Sequence, residues 1–94
     1  MYSLMVCDDE QIVIESVKHI VETEFSDIQI VATARSGREA IEKTRKIRPD
    51  IILTDIRMPG LSGIDAVREI KKIHTDVKFV SVSTRFSFFT GLIR

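Results

Sequence analysis

Two short apolar runs, Leu4-Met5-Val6-Cys7 and Ile51-Ile52-Leu53-Thr54, each end abruptly on aspartate: Asp8-Asp9-Glu10 after the first and Asp55 after the second. Runs of four apolar residues without polar alternation belong to strands covered on both faces, and such strands are typical of parallel sheets packed between helices. Between them the period changes. From about Gln11 to Phe25, Val13, Ile14, Val17, Ile20, Val21 and Phe25 recur at three- and four-residue steps, which predicts a helix with a broad apolar stripe. Ile28 to Ala34 predicts a second strand. Ser36-Gly37-Arg38-Glu39 is a capping-box sequence, in which the Ser36 hydroxyl and the Glu39 carboxylate satisfy helix N–H groups. The helix it opens has Ala40, Ile41, Thr44 and Ile47 on its core side and stops near Arg48, because the residue before Pro49 is pushed out of helical geometry.

After the second acidic strand tip, Met58-Pro59-Gly60-Leu61-Ser62-Gly63 is turn chemistry, and Ile64, Val67, Ile70 and Ile73 mark a third amphipathic helix. Val77 to Ser83 predicts a fourth strand. The order βαβαβαβ requires parallel pairing through right-handed crossovers, hence an open α/β sheet. Ligands of such sheets collect beyond the carboxyl ends of the strands, where Asp8, Asp9 and Asp55 are expected to converge.

With 94 residues, 44% of them hydrophobic and 30% charged, the chain has material for one core. Its 14 basic and 14 acidic residues cancel, so no overall field favours nucleic acid or anionic lipid. The single cysteine, Cys7, and an amino-terminal segment without a secretion pattern suit the cytoplasm, and no apolar run is long enough to span a membrane. His19 and His74 have no partners at metal-ligand spacing.

Three carboxylates without a nearby lysine or arginine repel one another, and a hard divalent cation is the natural remedy. Oxygen-only ligation points to Mg²⁺, or Mn²⁺ in its place. Such a site can screen an incoming phosphoryl group while one carboxylate attacks phosphorus, and Asp55 is the nucleophile this reading nominates. The simplest rival reading makes Asp8 and Asp9 a solvated helix cap and Asp55 a turn initiator.

Cys7-Asp8-Asp9-Glu10, Thr54-Asp55-Ile56-Arg57-Met58-Pro59-Gly60-Leu61-Ser62-Gly63 and the strand ending in Ser83 together resemble a bacterial response-regulator receiver domain, over residues 2 to about 84. The resemblance implies a flavodoxin-like sheet of order 2-1-3-4-5 and transfer of phosphate to Asp55 from a sensor histidine kinase. It implies Mg²⁺ on Asp9 and Asp55 directly, on Asp8 through water, and on the Arg57 backbone carbonyl, with Ser83 as the switch hydroxyl. It also implies a phosphoacceptor rather than an enzyme, and a DNA-binding output domain elsewhere in the parent protein.

The family continues past its hydroxyl with a fourth helix, a fifth strand carrying a lysine, and a fifth helix. The eleven residues after Ser83 are too few for these, so the expected sheet is 2-1-3-4, with the fifth strand and last helix missing. No lysine takes the place of the family's partner lysine. The receiver domain is expected to cover residues 1–84, with 85–94 as a hydrophobic tail. The fourth strand is then expected to be an open edge, with homodimerisation through that edge or through the Phe-rich tail, Phe86 to Ile93. Two alternatives stand beside this reading: a phosphorylation-impaired fragment that works by self-association, and a Mg²⁺-dependent aspartyl-phosphate phosphatase. The usual D-x-D of the latter is broken here by Arg57.

Overall fold

The computed structural model describes residues 1–54, 63–83 and 88–93. Its elements run β1 (Tyr2–Cys7), α1 (Gln11–Glu24), β2 (Ile28–Ala34), α2 (Gly37–Ile47), β3 (Ile51–Thr54), α3 (Gly63–Ile73), β4 (Lys78–Ser83) and β5 (Phe88–Ile93). One sheet contains all five strands in the order β2-β1-β3-β4-β5. The first four are parallel, as the intervening helices require.

The expected order 2-1-3-4 therefore holds, but β4 is not an edge. β5 pairs with it antiparallel, from Phe79↔Ile93 to Ser83↔Phe88. The eleven residues after Ser83 cannot supply a helical crossover, but they can supply a strand that turns straight back, because antiparallel neighbours need only a short connection.

The absence of polar alternation in β1 and β3 has the expected cause. Met5, Cys7 and Ile52 pack with Ala40, Val67, Ile70, Val77 and Phe79 on the α2–α3 side. Leu4, Val6 and Leu53 pack with Ile14 and Val21 of α1 on the other. Each fully buried aliphatic side chain of this kind is worth about 1.5–3 kcal/mol. The α1 stripe is narrower than its sequence suggests: Ile14 and Val21 are buried, whereas Ile20 is 50% and Phe25 41% exposed. Ile47 of α2 is likewise 42% exposed, while Ala40 and Thr44 are buried and the Thr44 hydroxyl donates to the Ala40 carbonyl. Ala66, which the periodicity passes over, is buried in α3, and the Ile64 side chain lies outside what is described.

The helix ends follow local chemistry. Ser36 caps α2, its Oγ accepting from the Glu39 N–H at 3.1 Å. The Glu39 carboxylate does not close the expected reciprocal bond to Ser36; it accepts instead from the Arg35 N–H at 3.0 Å. Arg48 ends α2 in the left-handed region at φ 51°, leaving Pro49 to start the turn into β3. His74 Nε2 donates to the Pro49 carbonyl at 2.9 Å and Arg48 Nη1 donates to the Ile73 carbonyl at 3.1 Å, tying the end of α3 to this turn. At the same pole Asp50 Oδ2 accepts from the Ser3 N–H and Oγ–H at 2.8 and 3.1 Å, which joins the start of β1 to the start of β3.

Candidate functional site

The ladder registers define the floor of the site. Ala34, Cys7, Thr54 and Ser81 form one row across β2, β1, β3 and β4. All four are buried, at 0%, 2%, 4% and 9% exposure. The row comprises two small apolar side chains and two hydroxyls, so the backbone of the strand ends lies close beneath whatever sits above it. Asp8 is the next residue after Cys7, and its N–H continues the β1–β2 ladder by donating to the Ala34 carbonyl at 3.0 Å.

Asp8 is only 2% exposed. Its Oδ1 accepts from the Glu10 N–H at 2.9 Å, and Glu10, the N-cap of α1, makes no side-chain cap bond of its own. A solvated helix cap is therefore not the geometry adopted. A carboxylate withdrawn from water is costly, and here it stands beside two more: one ligand atom from each of Asp8, Asp9 and Glu10 lies within 4.8 Å of the others. Ligand oxygens around an octahedral Mg²⁺ at about 2.1 Å lie roughly 3–4 Å apart, so small side-chain rotations suffice to share one ion, with waters completing its shell. These residues fit a hard divalent cation. Glu10, which the sequence reading left without a role, is the third member of the cluster.

The sequence reading placed no lysine or arginine near these acids, and the fold brings one in. Arg35, just beyond β2, donates from Nε and Nη2 to the Asp9 carbonyl at 3.1 and 2.8 Å, and from Nη1 to Gln11 Oε1 at 3.4 Å. The 26-residue separation from Asp9 gives no local sequence signal. Only the β1–β2 pairing, which sets Cys7 beside Ala34, delivers the guanidinium to the loop.

Beneath the acids, burial pushes the Cys7 thiol up to about 12, with Glu39 and Asp8 adding to the rise and Lys43 opposing it. Cys7 is thus a neutral core residue. Asp55 and Arg57 lie outside the described residues. Ser83 is the last residue of β4, two positions beyond Ser81 of the floor row, and is paired with Phe88. Two depressions occur elsewhere: a groove of about 1060 Å³ between α1 and the β2 edge, and one of about 440 Å³ at the opposite pole beside Asp50 and His74. Neither is lined by Asp8 or Asp9. Among the described residues no helix is long and apolar enough to cross a membrane.

The comparisons agree with this geometry. The response regulator receiver domain family matches residues 4–89. Response regulator GacA of Pseudomonas viridiflava is 34% identical over 83 residues, which cover 88% of this chain and 38% of that protein. The transcriptional regulatory protein YesN of Bacillus subtilis is 31% identical over 83 residues, 88% of this chain and 23% of its own length. The chain thus spans well under half of these curated relatives. The response regulator domain of Thermotoga maritima CheB superposes with a TM-score of 0.82 at 33% identity, covering 89% of this chain and 61% of that one. A LuxR-family two-component response regulator from Aurantimonas superposes with a TM-score of 0.80 at 30% identity, covering 86% and 57%. The chain belongs to the bacterial response regulator receiver domain family, whose members serve two-component phosphorelays as phosphoacceptors rather than as enzymes that turn over a separate substrate.

Proposed function

We propose that this chain accepts a phosphoryl group on Asp55 from the phosphohistidine of a sensor histidine kinase, with Mg²⁺ held by Asp8, Asp9, Asp55 and the Arg57 carbonyl, and that Ser83 reads the modified state. The observation that carries the reading is the parallel in-register pairing of Cys7 with Thr54, because the residues that follow these two in the sequence are Asp8 and Asp55. A bound divalent cation supplies positive charge that offsets the carboxylates and the charge on the transferring phosphoryl oxygens. In the transfer, an Asp55 carboxylate oxygen forms a bond to phosphorus as the phosphorus–nitrogen bond of the donor breaks. The electron pair of that bond returns to the imidazole nitrogen, which takes up a proton. Asp8, withdrawn from water and oriented by the Glu10 N–H, contributes fixed negative charge to hold the cation.

The division at residue 84 belongs to the same proposal: residues 1–84 form the switching body, and 85–94 an added segment whose strand β5 runs against the direction of the other strands. So do a cytoplasmic setting and a transcriptional output in the remainder of a longer parent protein, the latter supported by similarity to the transcriptional regulatory protein YesN. Self-association through the β5 side of the sheet replaces the β4-edge route, since β4 is already paired.

Incubation with acetyl phosphate and Mg²⁺, followed by intact-mass spectrometry, tests the reading. One phosphoryl addition, lost in Asp55→Asn and absent with chelator, is expected. No addition to the folded protein excludes it, and catalytic consumption of acetyl phosphate in many turnovers favours the phosphatase.

A further inference from the structure

We infer that Arg35 is a positioning residue for the divalent-cation site: it clamps the backbone of the acidic loop so that the Asp9 carboxylate is already aimed when the ion arrives. The inference deepens the proposed function and rests on its metal-binding part.

The loop between β1 and α1 is gripped at both ends by the residues that close β2. Ala34 accepts from the Asp8 N–H at 3.0 Å. Arg35 places two donors on the Asp9 carbonyl, at 3.1 and 2.8 Å, and a third on the Gln11 side chain at 3.4 Å. Gln11 is the first residue of α1, and its amide is oriented for this contact because Nε2 donates to Glu15 Oε1 at 2.7 Å. The guanidinium therefore spans Asp9 to the start of the helix.

Arg35 is itself held at its base. Its N–H donates to Glu39 Oε1 at 3.0 Å, Glu39 is fixed by the Ser36 cap, and Lys43 Nζ lies 3.6 Å from the same carboxylate oxygen. The capping carboxylate that left its reciprocal bond to Ser36 unmade secures the arginine instead. A planar fork on one carbonyl fixes the orientation of that peptide, which a lysine ammonium cannot do.

Arg35 exerts two effects of opposite sign on an incoming cation. Its positive charge repels the ion; its clamp removes the ordering cost that Asp9 would otherwise meet on binding. The side chain is exposed, so the repulsion is screened within about 8 Å at physiological ionic strength, whereas the clamp is indifferent to salt. Outer groups that orient metal ligands typically change affinity by about 10–100-fold when removed, and an exposed one belongs at or below the lower end of that range.

The test is Mn²⁺ binding followed by electron paramagnetic resonance of the free ion, at low and high potassium chloride, on wild type, Arg35→Gln and Arg35→Lys. Metal-free thermal melts establish that each variant is folded. The clamp predicts roughly 5–10-fold weaker binding in both variants, at both salt concentrations. Wild-type affinity in Arg35→Lys, or tighter binding in Arg35→Gln that fades with salt, shows an effect of charge alone and overturns the clamp. Equal affinity in all three, with only the melting temperature lowered, reduces Arg35 to a structural contact and overturns it as well. A wild-type protein that binds no Mn²⁺ removes the metal reading itself, and the clamp with it.

Discussion

Cys7 and Thr54 are register partners on adjacent parallel strands, at 2% and 4% exposure, so the two strand ends bearing the acids of this chain stop level with one another. The carboxylates of Asp8, Asp9 and Glu10 crowd at the end of β1, and the stability of the protein should report that crowding.

Relief of the crowding by an ion should be visible as heat stability. At tenfold its dissociation constant, Mg²⁺ stabilises by about 1.4 kcal/mol. For a domain of this size that raises the melting temperature by roughly 6–11 °C. Asp8→Asn should abolish the Mg²⁺ increment while melting at or above the wild-type temperature without metal, because it removes one of three neighbouring charges. Calorimetry with and without Mg²⁺ checks both arms, and an undiminished increment in Asp8→Asn excludes Asp8 as part of the site.

The thiol of Cys7 should be inert in the folded protein. Its acidity is shifted from 9.0 to about 12 by burial first, and by Glu39 next. A raised folded-state value means that the folded state holds its proton where the unfolded state releases it. The contribution to stability is therefore complete below pH 9 and is lost progressively as the pH climbs towards 12. Iodoacetamide at pH 8 should leave the native protein unmodified and alkylate it once urea unfolds it. Rapid native-state alkylation contradicts the burial.

Acid sensitivity should trace in part to Asp50. Its carboxyl is held below the ordinary value of 3.8, first by the Ser3 backbone N–H and then by the Ser3 hydroxyl, with His74 and the amino terminus assisting. The sign is that of a depressed acid: the stabilisation is present above 3.8 and disappears as the pH falls through the lower folded-state value. Ser3→Ala, which removes the hydroxyl and keeps the backbone N–H, should move the Asp50 titration, read by carboxyl-carbon NMR, part of the way up towards the ordinary value. An unmoved titration excludes the Ser3 hydroxyl as a contributor.

Among the described residues Phe79 is the largest fully buried side chain, and Lys71 Nζ lies 5.8 Å from its ring centre. Phe79→Ala should cost about 3–5 kcal/mol, a large share of the roughly 5–15 kcal/mol available to a small domain. Urea melts should show a lowered midpoint, with Phe79→Leu between the two. A loss below about 1 kcal/mol would mean that the centre of the α2–α3 layer tolerates a cavity of that size.

The apolar runs of β1 and β3 were legible because burial on both faces leaves a periodicity no surface strand shares, and β2 was read residue for residue. Helix stripes were read too wide: Ile20, Phe25 and Ile47 satisfy the spacing yet face outward, since periodicity reports a helix face and not how far a neighbour covers it. The acid cluster was legible in Asp8 and Asp9, which adjoin a strand tip. Arg35 was not, because its role depends on which strands are neighbours. Strand β5 was not legible because the segment after Ser83 is too short for a helical crossover to a parallel strand, whereas the antiparallel return the structure adopts needs far fewer residues.

That return carries a directional consequence. Running from Ser83↔Phe88 down to Phe79↔Ile93, the last strand travels away from the acidic end towards the pole where Ser3 meets Asp50. Polypeptide joined beyond Ile93 departs from the opposite edge of the sheet, a full strand length from the end at which Asp8 and Asp9 lie. Within the sheet, the β4–β5 ladder is what joins that departure point to the strand that ends at Ser83.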